Sequence, residues 1–189
     1  MISKTEAAES LKSVAQVQRR AALAKGYGQA SIHLMLAGVV WAVGYTLTGL
    51  TRPEQWLMVW LPLIALNMIG SFAISYRGAK KMAGHPAAPV TEAARILWMA
   101  AAIMAFILTT YLLFHPSETT PYLAFPALVM GLVYVVMGAQ GMPRFLWIGA
   151  AIFALTAAGL TLAPQAIAFW IAAAGGGGLF LGGLWLRQA

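Results

Sequence analysis

The sequence contains no cysteine and no aspartate, and only five of its 189 residues are acidic, all of them glutamate. Without cysteine it has no disulfide, no thiolate metal site and no cysteine nucleophile. Without aspartate it lacks the carboxylate clusters with which membrane phosphotransferases hold their metals. Charged residues make up 9% of the chain, against about 25% in an ordinary soluble domain. A water-facing globular surface is therefore not expected.

Familiar chemistries of six-helix membrane enzymes are also missing. The fourth apolar stretch has no serine and the sixth has no histidine, so the pattern of an intramembrane serine protease is absent. His33 and His115 fall at opposite ends of their apolar stretches, which does not suit haem ligation. Coupled ion transport usually requires an ionisable side chain deep within an apolar stretch. No such side chain falls there in this sequence. We expect no enzyme activity, no catalytic residue, no metal site and no cofactor.

What the chain does have is apolar sequence, with 61% hydrophobic residues and a mean hydropathy of +0.77. A helix of roughly 20 residues crosses about 30 Å of hydrocarbon. Six stretches have this length, at approximately residues 31–50, 54–76, 95–114, 121–140, 144–162 and 164–186. They predict an all-α polytopic membrane protein with six transmembrane helices.

The basic residues predict its orientation. Most lysines and arginines precede the first stretch, lie between the second and third, or follow the fourth and sixth, whereas the alternate loops hold little positive charge. By the positive-inside rule both termini are cytoplasmic in a bacterial inner membrane. The formal net charge of +7 suits contact with anionic lipid on that side. Because the cations are spread over several short segments, no nucleic-acid partner is expected.

The N-terminal segment reads as a basic amphipathic helix. Leu11, Val14 and Ala21 recur at helical spacing, and Gly26-Tyr27-Gly28 is expected to end the helix. This divides the chain into a cytoplasmic helix, residues 1–29, and a transmembrane domain, residues 30–189. The segment either contacts anionic lipid or a cytosolic protein, or is only a solvated topology signal. The candidate contact residues are Lys12, Arg19, Arg20 and Lys25.

An internal repeat groups the six stretches in pairs. Residues 95–106 and 144–155 align without gaps and share Arg, Leu, Trp, Ile and three Ala. Each even-numbered stretch also begins close to a proline, at Pro53, Pro121 and Pro164. We therefore predict three helical hairpins related as a parallel repeat.

Each even-numbered stretch has an interruption near its middle, made by proline or by a run of glycine. Such points expose backbone carbonyls in many transporters, but they also permit close helix packing, for which Ala174, Gly178 and Gly182 have the right spacing. Both interpretations stay open. The candidate cavity or hinge residues are Pro62, Asn67, Pro126, Tyr134, Gly175 and Gly178.

The basic N-terminal helix and the final motif Gly182-Gly183-Leu-Trp185-Leu-Arg187 resemble those of small multi-pass inner-membrane proteins of bacteria. Some of these are encoded beside winged-helix regulators, and this resemblance implies a signalling or partner-binding role. We expect a non-enzymatic sensor or partner-binding membrane component. The alternative is a channel or facilitator for a small neutral or hydrophobic solute. A homo-oligomer suits either function.

Overall fold

The computed structural model describes the backbone of residues 4–81 and 89–188, and the side chains of residues 9–77 and 98–188. This part of the chain is helical with no strand. The helices are α1 (Lys4–Leu50), α2 (Trp56–Lys81), α3 (Pro89–Phe114), α4 (Thr119–Ala139), α5 (Pro143–Leu162) and α6 (Pro164–Arg187). The last helix, α6, consists of a 3-10 turn, an α-helical turn, a π-helical segment at Ala172–Gly177 and a final α-helix.

Five of these helices are long and apolar enough to cross a membrane, which fits a multi-pass membrane protein. They are α1, α2, α4, α5 and α6. The remaining predicted span lies in α3, whose part with described side chains is the shorter apolar helix Trp98–Phe114. A sixth crossing is therefore still a prediction.

The six helices occupy two kinds of position. We call α1, α4, α5 and α6 the central helices, because they contain nearly all buried side chains and pack on one another. We call α2 and α3 the peripheral helices, since α2 packs chiefly on α1 and α3 chiefly on α4. Large apolar side chains on the peripheral helices are exposed, including Met58 at 78%, Phe72 at 74% and Phe114 at 73%. Lipid tails would cover such a surface without the free-energy cost that water imposes.

Glycines bring the central helices into backbone contact. A methyl group on Gly176 of α6 would lie 2.5 Å from the amide nitrogen of Ala42 in α1. One on Gly149 of α5 would lie 2.5 Å from the amide nitrogen of Val135 in α4. The α4–α5 connection is a tight turn in which Gly141 adopts a φ of 114°, a conformation that favours glycine. Small residues thus set these helix spacings.

Successive helices run in opposite directions, so the connections alternate between two ends of the bundle. The basic end holds the point where α1 enters the bundle at Tyr27, the start of α5 and the end of α6. The opposite end holds the α1–α2, α3–α4 and α5–α6 connections. The most extensive contacts join α1 to α6 and α4 to α5, and each of these pairs combines helices of different predicted hairpins. At aligned positions of the repeat, Met99 of α3 is 43% exposed where Ile148 of α5 is 6% exposed, whereas Trp98 and Trp147 are both exposed, at 76% and 67%. The three-hairpin repeat stays a prediction.

The predicted end of the N-terminal helix is wrong. Helix α1 runs without interruption through Gly26-Tyr27-Gly28, so the boundary between residues 29 and 30 falls within one helix. A glycine in a helix costs roughly 1 kcal/mol relative to alanine, which made an ending plausible. Here Gly26 faces the side chain of Met142 and Tyr27 is buried against α5. Packing against the bundle therefore outweighs the low helix propensity.

Candidate functional site

The first part of α1 projects beyond the bundle as a helix, which we call the stalk (residues 9–25). Seventeen residues of α-helix extend about 25 Å. Every stalk residue is exposed apart from Leu23, which is partly buried. The four candidate contact residues are all on this segment, namely Lys12, Arg19, Arg20 and Lys25.

The stalk has an apolar side that the rest of the described chain does not cover. Leu11 is 72% exposed, Val14 is 52% exposed and Val17 is 66% exposed. At about 100° per residue these three side chains occupy one side of the helix. Lys12 and Arg19, seven residues apart, share the other side. The stalk is thus an exposed helix with one apolar and one basic side.

A cluster at the basic end fixes the base of the stalk to α5 and α6. We call it the Arg144 cluster, and it consists of Tyr27, Arg144, Phe145 and Trp185. The backbone N–H of Arg144 donates to the Tyr27 hydroxyl at 3.3 Å, and the Tyr27 ring lies 6.2 Å from the Phe145 ring. The Arg144 guanidinium donates to the carbonyl of Trp185 at 2.6 Å and lies 5.1 Å from the Trp185 ring centroid. These contacts join α1, α5 and α6 at the base of the stalk.

The structure does not bring Asn67 and Tyr134 into one cavity. Tyr134 is 8% exposed and its ring stacks on Phe145 at 5.7 Å, inside the core formed by the central helices. Asn67 is on peripheral α2, where its side-chain oxygen is buried and has no hydrogen-bond partner. Pro62, on the same helix, is exposed. These predicted residues therefore belong to separate environments.

Near Pro126, two tyrosine hydroxyls donate hydrogen bonds to backbone carbonyls of α4. A proline removes the N–H that would bond the carbonyl four residues earlier, here that of Tyr122. The hydroxyl of Tyr111 in α3 donates to this carbonyl at 2.6 Å. The hydroxyl of Tyr45 in α1 donates to the neighbouring Leu123 carbonyl at 3.1 Å. Backbone carbonyls freed near Pro126 are thus held by the protein itself.

Three glycines of the α6 run end the π-helical segment, and Gly178 begins the α-helix that follows it. These four glycines have different surroundings. A methyl group on Gly175 would lie 3.2 Å from the Trp41 ring, and one on Gly176 would meet the α1 backbone. A methyl group on Gly177 would meet nothing within 4 Å, and one on Gly178 would meet only Ile152 at 3.8 Å. Gly175 and Gly176 therefore serve packing against α1. The predicted ridge of Ala174, Gly178 and Gly182 does not face α1 but lies beside α5.

Sequence reasoning missed two residues of this region. Tyr111 could have been sought as the donor for the carbonyl that Pro126 frees, but nothing in the sequence says which hydroxyl reaches it. Thr156 of α5 is 0% exposed, and its hydroxyl oxygen has no hydrogen-bond partner. A threonine in an apolar helix usually donates to its own backbone, so no signal in the sequence distinguishes it.

The described residues contain no group of three or more His, Cys, Asp or Glu placed to hold a metal ion. Comparison with protein-family models, with curated proteins and with solved structures finds no match.

Proposed function

We propose that this chain is a non-enzymatic, partner-binding component of a bacterial inner membrane, with six crossings and both termini in the cytoplasm. The stalk is the element that docks on a cytosolic protein. The observation that carries the proposal is the uncovered apolar side of the stalk, where Leu11 and Val17 are 72% and 66% exposed. Apolar side chains in this arrangement bind grooves in partner proteins.

The charges at the two ends of the bundle support this orientation. Arg77, Arg144 and Arg187 are near the basic end, together with Lys25 at the foot of the stalk. The loops at the opposite end combine Arg52 with Glu54, and His115 with Glu118. The positive-inside rule assigns the basic end to the cytoplasm.

The continuity of α1 favours a protein partner over the membrane surface for the tip of the stalk. A helix that lies on lipid needs a bend where it leaves the membrane-spanning segment. In α1 the backbone is helical through residues 26–28 and Tyr27 is anchored in the Arg144 cluster. In this proposal the stalk continues the spanning segment into the cytoplasm, so its apolar side is available to a protein. Along the stalk, anionic lipid is expected only near Lys25.

A channel or facilitator finds less support. It needs open interruptions in the even-numbered helices, whereas the Tyr122 carbonyl freed by Pro126 is bonded to Tyr111 and Gly176 is packed on Ala42. Oligomerisation, in which copies contact through the exposed peripheral helices, is compatible with partner binding because it would place several stalks side by side.

The test is photo-crosslinking in intact cells, with a photoreactive amino acid at Val14 and, as a matched control, at Gln16 on the polar side. We expect a discrete protein adduct from position 14 and little from position 16. The paired substitutions Leu11→Glu and Val14→Glu should abolish an adduct from position 17. Ser13→Glu with Gln16→Glu, which adds the same charge, should leave it. Adducts to lipid alone, or equal adducts from both sides, would contradict the proposal.

A further inference from the structure

Helices α5 and α6 leave an apolar groove between them on the outside of the bundle. Near the basic end it has a volume of about 310 Å³, and it continues toward the opposite end as a second depression of about 530 Å³. The two share Leu155 and Ala174. Trp147, Leu181 and Trp185 form walls of the first part, and Gly178 lies in its floor.

The first part of the groove has the length of one lipid leaflet. From Trp185 to Ala174 is eleven residues of helix, which corresponds to about 16 Å. Half of a hydrocarbon core of about 30 Å is nearly the same length. An extended acyl chain that enters at the basic end would therefore lie along the groove to mid-membrane.

The mouth of this groove is positively charged. The Arg144 guanidinium lies 5.1 Å from the ring centroid of Trp185, which is itself a wall of the groove. Arg187, in the last turn of the same helix, is about 200° around the helix from Trp185, so it adds positive charge to this end of the bundle without lining the groove. A guanidinium has five N–H donors, and the Arg144 side chain donates one hydrogen bond within the described chain. The N-terminus of α5, which has no side-chain cap, adds the positive end of a helix dipole.

No carboxylate with a described side chain is near this mouth. Glu9 is toward the tip of the stalk, and Glu54 and Glu118 are at the opposite end of the bundle. Among the residues with described side chains, the cations at the mouth are therefore not neutralised by the protein. The complement that fits an apolar groove with a cationic mouth at the membrane surface is an acyl chain joined to an anionic headgroup.

We propose that the groove between α5 and α6 is a binding site for one anionic phospholipid of the basic-end leaflet. Its acyl chain lies against Gly178 and Leu181, and its phosphate contacts Arg144, with the charge of Arg187 nearby. A second copy of this chain fits less well, because it would have the same orientation in the membrane. Its own Arg144 and Arg187 would then be at the same depth, and like charges repel.

The site is tested on the full chain in nanodiscs of equal parts phosphatidylglycerol and phosphatidylethanolamine, released into native mass spectrometry to count retained lipids. We expect one retained phosphatidylglycerol per chain. Gly178→Leu fills the groove, and it is compatible with folding because a methyl group there meets only Ile152 at 3.8 Å. Gly177→Leu is the matched control, since position 177 faces open space and does not line the groove. Gly178→Leu should lose the lipid and Gly177→Leu should keep it.

The charge is tested separately with Arg187→Gln, because Arg187 is exposed at the end of α6. Phosphatidylglycerol retention should fall about five-fold, as expected for the loss of one basic residue near an anionic headgroup. Equal retention of the two lipids by the natural chain would overturn the proposal, as would equal retention by the two glycine variants. A lipid-free dimer that Gly178→Leu abolishes would assign the groove to a second copy instead.

Discussion

The central and peripheral helices contain similar residues in different surroundings. Both groups are apolar, both contain a proline in mid-helix and both contact α1 through glycine. In the central helices, Gly176 meets the fixed backbone of α1, and the carbonyl that Pro126 frees accepts a hydrogen bond from a hydroxyl group. In peripheral α2, Gly70 meets a flexible side chain and Pro62 is exposed on the outside of the bundle. The effect of a substitution should therefore depend on which group of helices contains it, and paired substitutions test this.

The largest difference is expected between Gly176→Ala and Gly70→Ala, since both glycines face α1. A methyl group at position 176 would lie 2.5 Å from the Ala42 backbone nitrogen, which cannot move without shifting α1. At position 70 the nearest atom is the end of the Leu36 side chain at 2.7 Å, which can rotate away. We expect Gly176→Ala to lower the free energy of unfolding in detergent by about 1–3 kcal/mol. Gly70→Ala should be neutral or slightly stabilising, because alanine favours the helix.

The control for this pair is Gly177→Ala, next to Gly176 in the same π-helical segment. A methyl group there meets nothing within 4 Å, so unfolding should be unchanged or slightly harder. If Gly177→Ala were as destabilising as Gly176→Ala, the cost would come from altering the π-helical segment and not from contact with α1.

A smaller difference is expected at the two mid-helix prolines. Tyr111→Phe removes the donor to the Tyr122 carbonyl and should cost about 0.6–1.7 kcal/mol, the range measured for hydrogen bonds between membrane helices. Pro126→Ala supplies an N–H to the same carbonyl, so Tyr111→Phe should cost less in that background. Pro62→Ala in α2 should leave the cost of Tyr111→Phe unchanged. A double-mutant cycle, measured by denaturant titration, checks this prediction. Strict additivity of Tyr111→Phe and Pro126→Ala would show that the hydroxyl does not replace the missing N–H.

The helical class and five of the long apolar segments could be predicted from composition and the length of apolar runs, because these depend only on local sequence. The continuity of α1 could not, because burial of Tyr27 against α5 overrides the local preference of two glycines. The same holds for Pro126. The local sequence predicts that this proline frees a backbone carbonyl, but the hydroxyl that donates a hydrogen bond to that carbonyl comes from another helix. The exposed stripe at Leu11 and Val14 was readable from spacing, whereas its projection from the bundle was not.

The smallest expected effects concern two buried oxygens without partners, one in each group of helices. Thr156→Val replaces a fully buried hydroxyl in central α5 with a methyl group of similar size, and removing an unpaired polar atom should stabilise the chain by about 1 kcal/mol. Asn67→Leu in peripheral α2 removes a buried oxygen from a side chain that is itself partly exposed, so a gain below about 0.5 kcal/mol is expected. Unfolding free energies of both variants, measured in the same detergent, provide the comparison. A loss of stability in Thr156→Val would mean that its hydroxyl has a partner in the membrane-embedded protein, and would make α5 the place to look for bound water or ligand.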